Sequence, residues 1–216
     1  MKEYHKIQTV FLRDPATNHK TLLLGEYALP EFAFLENARW VFTEKVDGTN
    51  IRVMWTSGEG VGTGLRFGGK TDAATTPPFL LDKLAQRFAP QIDRLREIFP
   101  DGGCLYGEGY GARIQKGGGN YRGDVDFVLF DVKVGDWWLQ RDAVEDVAAK
   151  LSLDVVPIIG MGTLFEMVGM ARDGFASRWN DKFQAEGIVA RPATELRTRN
   201  GQRIITKIKY RDFTRE

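Results

Sequence analysis

Short runs rich in β-branched and aromatic residues recur along the chain, most of them bounded by glycine or another turn residue. This punctuation limits the fold more than any other feature. The runs fall at residues 40–44, 51–55, 103–107, 127–132, 155–159, 187–191 and 203–210. An Asp47-Gly48 pair between the first two reads as a tight hairpin turn. Helical periodicity is scarcer. Residues 79–99 place Leu80, Leu84, Phe88, Ile92, Leu95 and Phe99 at spacings of three or four, the stripe of an amphipathic helix. Pro77 and Pro78 precede it and Pro100 ends it. Weaker helical patterns cover 142–151 and 164–175. Strands outnumber helices and do not alternate with them, so the expected fold class is α+β, with mostly antiparallel sheets and flanking helices. The longest polar, glycine-rich stretch, 56–70, is too short to separate domains. Residues 1–216 are therefore expected to form a single domain, with no separate C-terminal domain.

Charge and cysteine content narrow the partners. The formal net charge is +1, so a nucleic-acid surface has to be a local patch rather than a property of the whole chain. The lone cysteine, Cys104, excludes an intramolecular disulfide and fits a reducing compartment. With His5 and His19 as the only histidines, a zinc site is not expected. No apolar run approaches the roughly 20 residues of a membrane span. The N-terminal residues lack the apolar stretch of a signal peptide, and a cytoplasmic protein is expected.

The segment Glu44-Lys45-Val46-Asp47-Gly48-Thr49-Asn50 carries the most chemical information. Downstream come Tyr106-Gly107-Glu108-Gly109, then Phe127-Val128-Leu129-Phe130-Asp131, then Glu186-Gly187-Ile188-Val189, then Lys207-Ile208-Lys209. Taken singly, each has an ordinary reading. Lys45 suits a solvated surface turn, Phe130 a core strand, and Glu108 a turn. Glu186 suits the cap of a hairpin, and Lys207 and Lys209 a solvated edge. Together and in this order they resemble the motifs of the covalent nucleotidyltransferase superfamily of ATP-dependent ligases and capping enzymes. The flanks, Thr49-Asn50 and the ending Lys207-Ile208-Lys209-Tyr210-Arg211-Asp212-Phe213, look most like its RNA ligase 2-like family. The resemblance runs from about Glu44 to Phe213 and implies that the α+β fold is a nucleotidyltransferase (adenylation) domain.

The resemblance also implies an activity: ATP-dependent sealing of RNA ends or nicked RNA duplexes, RNA/DNA hybrids included, with ATP and Mg²⁺ or Mn²⁺ as cofactors. Lys45 would be the nucleophile that accepts AMP. A free lysine, with a pKa of about 10.4, is almost wholly protonated near neutrality, so nearby cations or burial must favour the neutral amine. Lys207 and Lys209 would contact the α-phosphate. Glu108 would bind the ribose hydroxyls and help hold metal, and Glu186 would bind the catalytic metal. Phe130 would stack on adenine, and Glu44 would meet the adenine edge. Asn50 would serve the later phosphate chemistry. Relatives usually carry an arginine after the lysine turn; here Lys70 stands in its place, with Arg66 nearby, and lysine lacks the bidentate fork. Many relatives also continue into a second domain, which leaves room for a partner chain to supply nucleic-acid contacts to a protein otherwise expected to be a monomer.

Rival readings exist. A minimal DNA ligase would share these motifs, and a capping guanylyltransferase would use GTP instead of ATP. Gly64-Leu65-Arg66-Phe67-Gly68-Gly69-Lys70-Thr71 matches the P-loop pattern letter for letter. A P-loop must follow a buried strand and open a helix, yet polar residues 57–63 precede this one and Pro77-Pro78 follow closely. Late basic residues, Arg191, Arg197, Arg199, Arg203, Arg211 and Arg215 among them, also allow a catalytically dead nucleic-acid-binding module.

Overall fold

The computed structural model describes residues 3–56 and 64–214, so the polar stretch 57–63 and Arg215 lie outside the described residues. The chain forms two compact units. One holds Asp47–Val156 with the N-terminal residues up to His5; the other holds Lys6–Val46 and the chain from Pro157 onward.

In the first unit, the described strands form one sheet in the order Asp154–Val155, Val125–Val134, Gly103–Gly111, Thr49–Trp55 and Arg66–Gly68, with Trp137–Trp138 paired to Val125–Val134. All pairings are antiparallel except that of Asp154–Val155. One face of the sheet sends Ile51, Val53, Trp55, Leu105, Phe127 and Leu129 into a core. Leu80, Leu84, Phe88 and Leu95, on the stripe read from the sequence, close that core. The single helix expected over 79–99 is two helices, Pro78–Phe88 and Ile92–Ile98, joined by a 3₁₀ turn at Ala89–Gln91. Pro90 has no N–H for the i−4 bond and breaks the ladder there. A further helix, Arg141–Lys150, packs Val144, Val147 and Ala148 into the same core.

In the second unit the strand order is Gln8–Thr9, Thr206–Lys209, Gly187–Pro192, Trp40–Glu44 and Ile158–Gly162, with Phe11–Arg13 and Leu22–Tyr27 as a separate pair. Only Gln8–Thr9 pairs in parallel. The helix Leu164–Asp173 is opened by a capping box, in which Glu166 N donates to Thr163 Oγ1 and Thr163 N donates to Glu166 Oε2. It buries Leu164, Met167 and Ala171 against Trp40, Phe42, Ile188, Ala190 and Ile208. Antiparallel pairing dominates both sheets, as expected for an α+β chain.

The hairpin expected at Asp47-Gly48 does not form. Trp40–Glu44 and Thr49–Trp55 belong to different sheets, and the chain passes from one unit to the other between Val46 and Asp47. Gly48 is needed for a close approach instead: a Cβ there would stand 2.3 Å from the Gly109 carbonyl oxygen and 2.7 Å from Glu108 Cγ. The P-loop match has no P-loop structure. Arg66–Gly68 is an edge strand, Lys70 is exposed, and the next helix opens only at Pro78. No helix of the described residues is long and apolar enough to cross a membrane.

Candidate active site

Strand alternation sorts the second unit's candidates onto two faces. Trp40, Phe42, Ile188, Ala190 and Ile208 point into the core, which leaves Thr43, Val189, Lys207 and Lys209 half-buried on the other face. Lys45 extends this face: its backbone N–H donates to the Gly187 carbonyl at 2.9 Å, one step past the end of its strand. Gly187 also pairs with Lys209, so it lies between the two lysines in the ladder. A Cβ on Gly187 would lie 2.2 Å from the Ile208 carbonyl oxygen, so only glycine allows this approach. The preceding residue, Glu186, is drawn to both lysines. Its Oε2 lies 2.6 Å from Lys45 Nζ and its Oε1 2.5 Å from Lys209 Nζ, with side-chain exposures of 9% for Glu186, 19% for Lys45 and 16% for Lys209. The structure therefore brings Lys45, Glu186 and Lys209 together, with Lys207 two residues along the same strand face. Neither the solvated turn nor the hairpin cap describes what these side chains do.

Glu44 has the opposite strand parity and is buried. Its Oε1 accepts a 2.6 Å hydrogen bond from Ser177 Oγ and its Oε2 a 2.8 Å bond from the Arg178 backbone N–H. Burial raises its carboxyl pKa above the ordinary value, against the lowering effect of these two hydrogen bonds. Ser177 and Arg178 were not singled out from the sequence. They follow a helix by only a few residues, and nothing in their spacing signals a partnership with Glu44.

In the first unit, the sheet face opposite the core carries Asn50, Arg52, Tyr106 and Glu108. Asn50 is register partner to Glu108, and Arg52 to Tyr106. Glu108 is half-buried inside a strand, so it is not the turn carboxylate it resembled. Asn50 Oδ1 is buried and has no hydrogen-bond partner among the described residues.

Phe130 reaches this face through a β-bulge. Tyr106 pairs with Asp131 and Gly107 with Leu129, so Phe130 is the extra residue. The core-facing positions accordingly switch from Phe127 and Leu129 before the bulge to Val132 after it. Phe130 and Asp131 then share one side. The Phe130 ring meets Tyr4 edge-on at 5.1 Å between centroids, and Tyr4 Oη donates to Asp131 Oδ2 at 2.5 Å. Simple alternation makes Asp131 the solvent-facing neighbour of Phe130. Instead Asp131 is fully buried and Phe130 is half-buried.

Lys70 and Arg66 are both exposed. The arginine that organises this stretch is Arg52, which sequence reasoning passed over. Its side chain is 1% exposed, and it donates from Nε to the Gly69 carbonyl and from Nη2 to Asp72, both at 2.7 Å. That pairing holds the Asp72 carboxyl below its usual pKa. The late basic residues do not form one open cationic face. Arg203 is buried against Glu195 and Lys209 is paired with Glu186, while Arg197, Arg199 and Arg211 are exposed.

A family model described as RNA ligase matches residues 38–209. A search of curated protein sequences found no match. Among solved structures, the chain is similar to Naegleria gruberi RNA ligase. A variant of that enzyme with ATP and Mn aligns at TM-score 0.66 and 17% identity, covering 97% of this chain and 56% of the other. The same ligase with PPi aligns at TM-score 0.62 and 19% identity, covering 97% and 58%. A variant with AMP and Mn aligns at 0.61 and 17%, again covering 97% and 58%. The chain thus spans just over half the length of these structures, and the likeness is one of fold.

Proposed function

Because the chain belongs to the RNA ligase family through residues 38–209, we propose that it is an ATP-dependent RNA ligase acting through a covalent Lys45–AMP adduct. The observation that carries the proposal is the Lys45–Glu186–Lys209 cluster, a primary amine held at a part-buried carboxylate beside a second cation. Lys45 Nζ releases its proton to solvent and attacks the α-phosphorus of ATP. A P–N bond forms, the bond to the pyrophosphate oxygen breaks, and pyrophosphate leaves. An oxygen of an RNA 5′-phosphate then attacks the phosphorus of the adduct, the P–N bond breaks, the Lys45 amine leaves, and a 5′–5′ pyrophosphate linkage forms. A 3′-hydroxyl attacks that end, forming the phosphodiester bond and releasing AMP.

Each residue's part follows from its chemistry. The Lys209 ammonium, with Lys207 on the same face, favours charge building on the phosphate oxygens. Among the described residues no three His, Cys, Asp or Glu side chains gather as a metal cage. A single carboxylate suits Mg²⁺ or Mn²⁺, which commonly take one or two protein oxygens and complete their shell with water and phosphate. Glu186 would hold that ion, with Glu108 as a second candidate, and the ion supplies neutralisation of phosphate charge when bound. Lys45 and Lys209 occupy the Glu186 oxygens, so a metal held by Glu186 would share that carboxylate with the two ammoniums. Glu108 binds the ribose hydroxyls and Phe130 stacks on adenine. Asn50 serves the later phosphate steps through its side-chain N–H groups, which can donate to phosphate oxygens as its Oδ1 cannot. Lys70 takes the usual arginine's place. Glu44 meets the adenine edge with whatever acceptor capacity Ser177 and Arg178 leave it. We place the reaction in the cytoplasm and expect one domain and a monomer, with a partner chain able to add nucleic-acid contacts.

The test is incubation with ATP labelled in its α-phosphate and magnesium, followed by denaturation. Label should stay on the protein and vanish in Lys45→Ala. Label released only as free nucleotide would refute the covalent reading. Sealing of matched RNA, DNA and hybrid nicks then fixes the substrate class.

A further inference from the structure

The first unit contains an open cavity of about 370 Å³ between the helix Pro78–Phe88 and the loop that follows the strand Gly103–Gly111. Its lining includes Phe79, Asp82, Lys83, Gln86, Arg113 and Asp124. The helix turns Leu80, Leu84 and Phe88 into the core, so Phe79, Lys83 and Gln86 lie along the cavity side. At Phe79 the Arg113 guanidinium carbon sits 4.1 Å from the ring centroid, a cation–π contact.

The surrounding charges are already committed, and Arg113 is not. Lys83 pairs with Asp124 at 3.2 Å, Arg122 with both Asp124 and Asp126 at 2.5 and 2.8 Å, and Arg87 with Asp126 at 2.7 Å. These pairs form one continuous chain of alternating charge. Among the described residues, Arg113 has no carboxylate partner. Counting Asp82, four cations face three carboxylates, a surplus of one positive charge. Stacking fixes a guanidinium through its π face and leaves the N–H donors at its edge unused, a geometry suited to phosphate oxygens.

The backbone holds this arrangement at a cost. Arg113 has φ +72°, a left-handed conformation that side-chain-bearing residues adopt at an energetic penalty. Two glycines close the loop around it. A Cβ on Gly111 would meet the Asp124 carbonyl oxygen at 2.0 Å, and one on Gly118 the Gly111 carbonyl oxygen at 1.9 Å. The Ala112 N–H donates to the carbonyls of both Arg122 and Asp124 at 3.1 Å. A strained, tightly pinned loop that presents one unpaired guanidinium over an open cavity is a built anion contact.

We propose that this cavity binds a backbone phosphate of the RNA strand, with Arg113 as the phosphate-contacting group, Phe79 as its platform and Lys83 as a second cation. The proposal rests on the ligase reading and adds a strand-binding subsite to it. It is tested by fluorescence anisotropy with a 5′-phosphorylated RNA oligonucleotide across a salt series, beside ATP-dependent labelling of the protein. Arg113 is exposed, so Arg113→Gln should fold normally. It should weaken RNA binding roughly three- to tenfold and lower the slope of log K against log salt by about 0.7, while lysyl-AMP forms at the wild-type rate. Arg113→Lys should keep the slope and lose part of the affinity. Phe79→Leu, which keeps an apolar side chain at the core edge, should reproduce part of the Arg113→Gln loss. Unchanged affinity and slope in Arg113→Gln would overturn the proposal. So would an altered ATP dependence of labelling with RNA binding intact, because the cavity would then serve a free nucleotide. Absence of lysyl-AMP in the wild type would instead sink the ligase reading, and the RNA titration reports on the cavity independently.

Discussion

Lys45 and Glu186 are ion-paired at 2.6 Å, and the pair lies where two antiparallel strands and a strand extension converge on Gly187. The carboxylate therefore both positions the amine and is the hard oxygen donor nearest to it. Glu186→Gln keeps the side-chain volume and removes the charge. Labelling of the protein by ATP should fall by roughly 10²-fold or more. Excess manganese should not restore it. A variant that labels at more than about a tenth of the wild-type rate would remove Glu186 from the chemistry.

The bonds from Ser177 and Arg178 to Glu44 predict a pH signature. Burial raises the Glu44 pKa in the folded protein. Between the ordinary glutamate value and the raised one, the folded chain holds a proton that the unfolded chain has released. Stability should therefore fall as pH rises through that window. Glu44→Gln should flatten this dependence in urea unfolding. Ser177→Ala removes a pKa-lowering hydrogen bond, so it should widen the window and cost about 1–3 kcal/mol. Parallel stability–pH curves for the wild type and Glu44→Gln would contradict the assignment.

Two glycines should prove irreplaceable for reasons of space. A Cβ on Gly48 meets backbone at 2.3 Å, and one on Gly107 meets the Phe127 ring at 2.2 Å and the Val128 carbonyl oxygen at 2.4 Å. Gly48→Ala and Gly107→Ala should each destabilise by about 1–3 kcal/mol, read from denaturant midpoints. Gly119→Ala, where a Cβ meets nothing within 4 Å, serves as the control and should be close to neutral.

Cys104 should be chemically silent in the native state. It is fully buried, and burial pushes its thiol pKa up to about 12. The thiolate is the reactive form. Labelling by a thiol reagent at neutral pH should track global unfolding and appear only as denaturant is raised. Rapid stoichiometric labelling of the native protein would show that the strand Gly103–Gly111 opens locally.

What the sequence disclosed depended on how local each signal was. The stripe Leu80, Leu84, Phe88 and Leu95 is buried as periodicity requires, because a helix face repeats every three or four residues. The joining of Lys45 to Glu186 and Lys209 was legible only as an ordered set of short motifs. The strand pairing that unites them spans most of the chain and leaves no periodic trace. The Asp47-Gly48 turn was misread because glycine serves two ends, conformational freedom and close approach, and the sequence does not distinguish them. Pro90 is a local signal of the same kind as the helical stripe, and it marks where that stripe is interrupted. Arg52 was hidden because a buried arginine in a strand becomes intelligible only once its acceptors, Gly69 and Asp72, are seen beside it. The Glu44–Ser177 contact joins residues far apart in the chain and follows no spacing rule.

The inserted residue at Phe130 has a consequence for anyone who edits this strand. Removing Phe130 itself would leave Asp131 and Val132 on the faces they hold now, whereas straightening the bulge at constant length would swap them: Val132 would leave the apolar interior and Asp131 would enter it, so one lost irregularity would act like several simultaneous substitutions. Alignments that slide by one here carry the same hazard on paper, because they would credit the aromatic's place to a carboxylate.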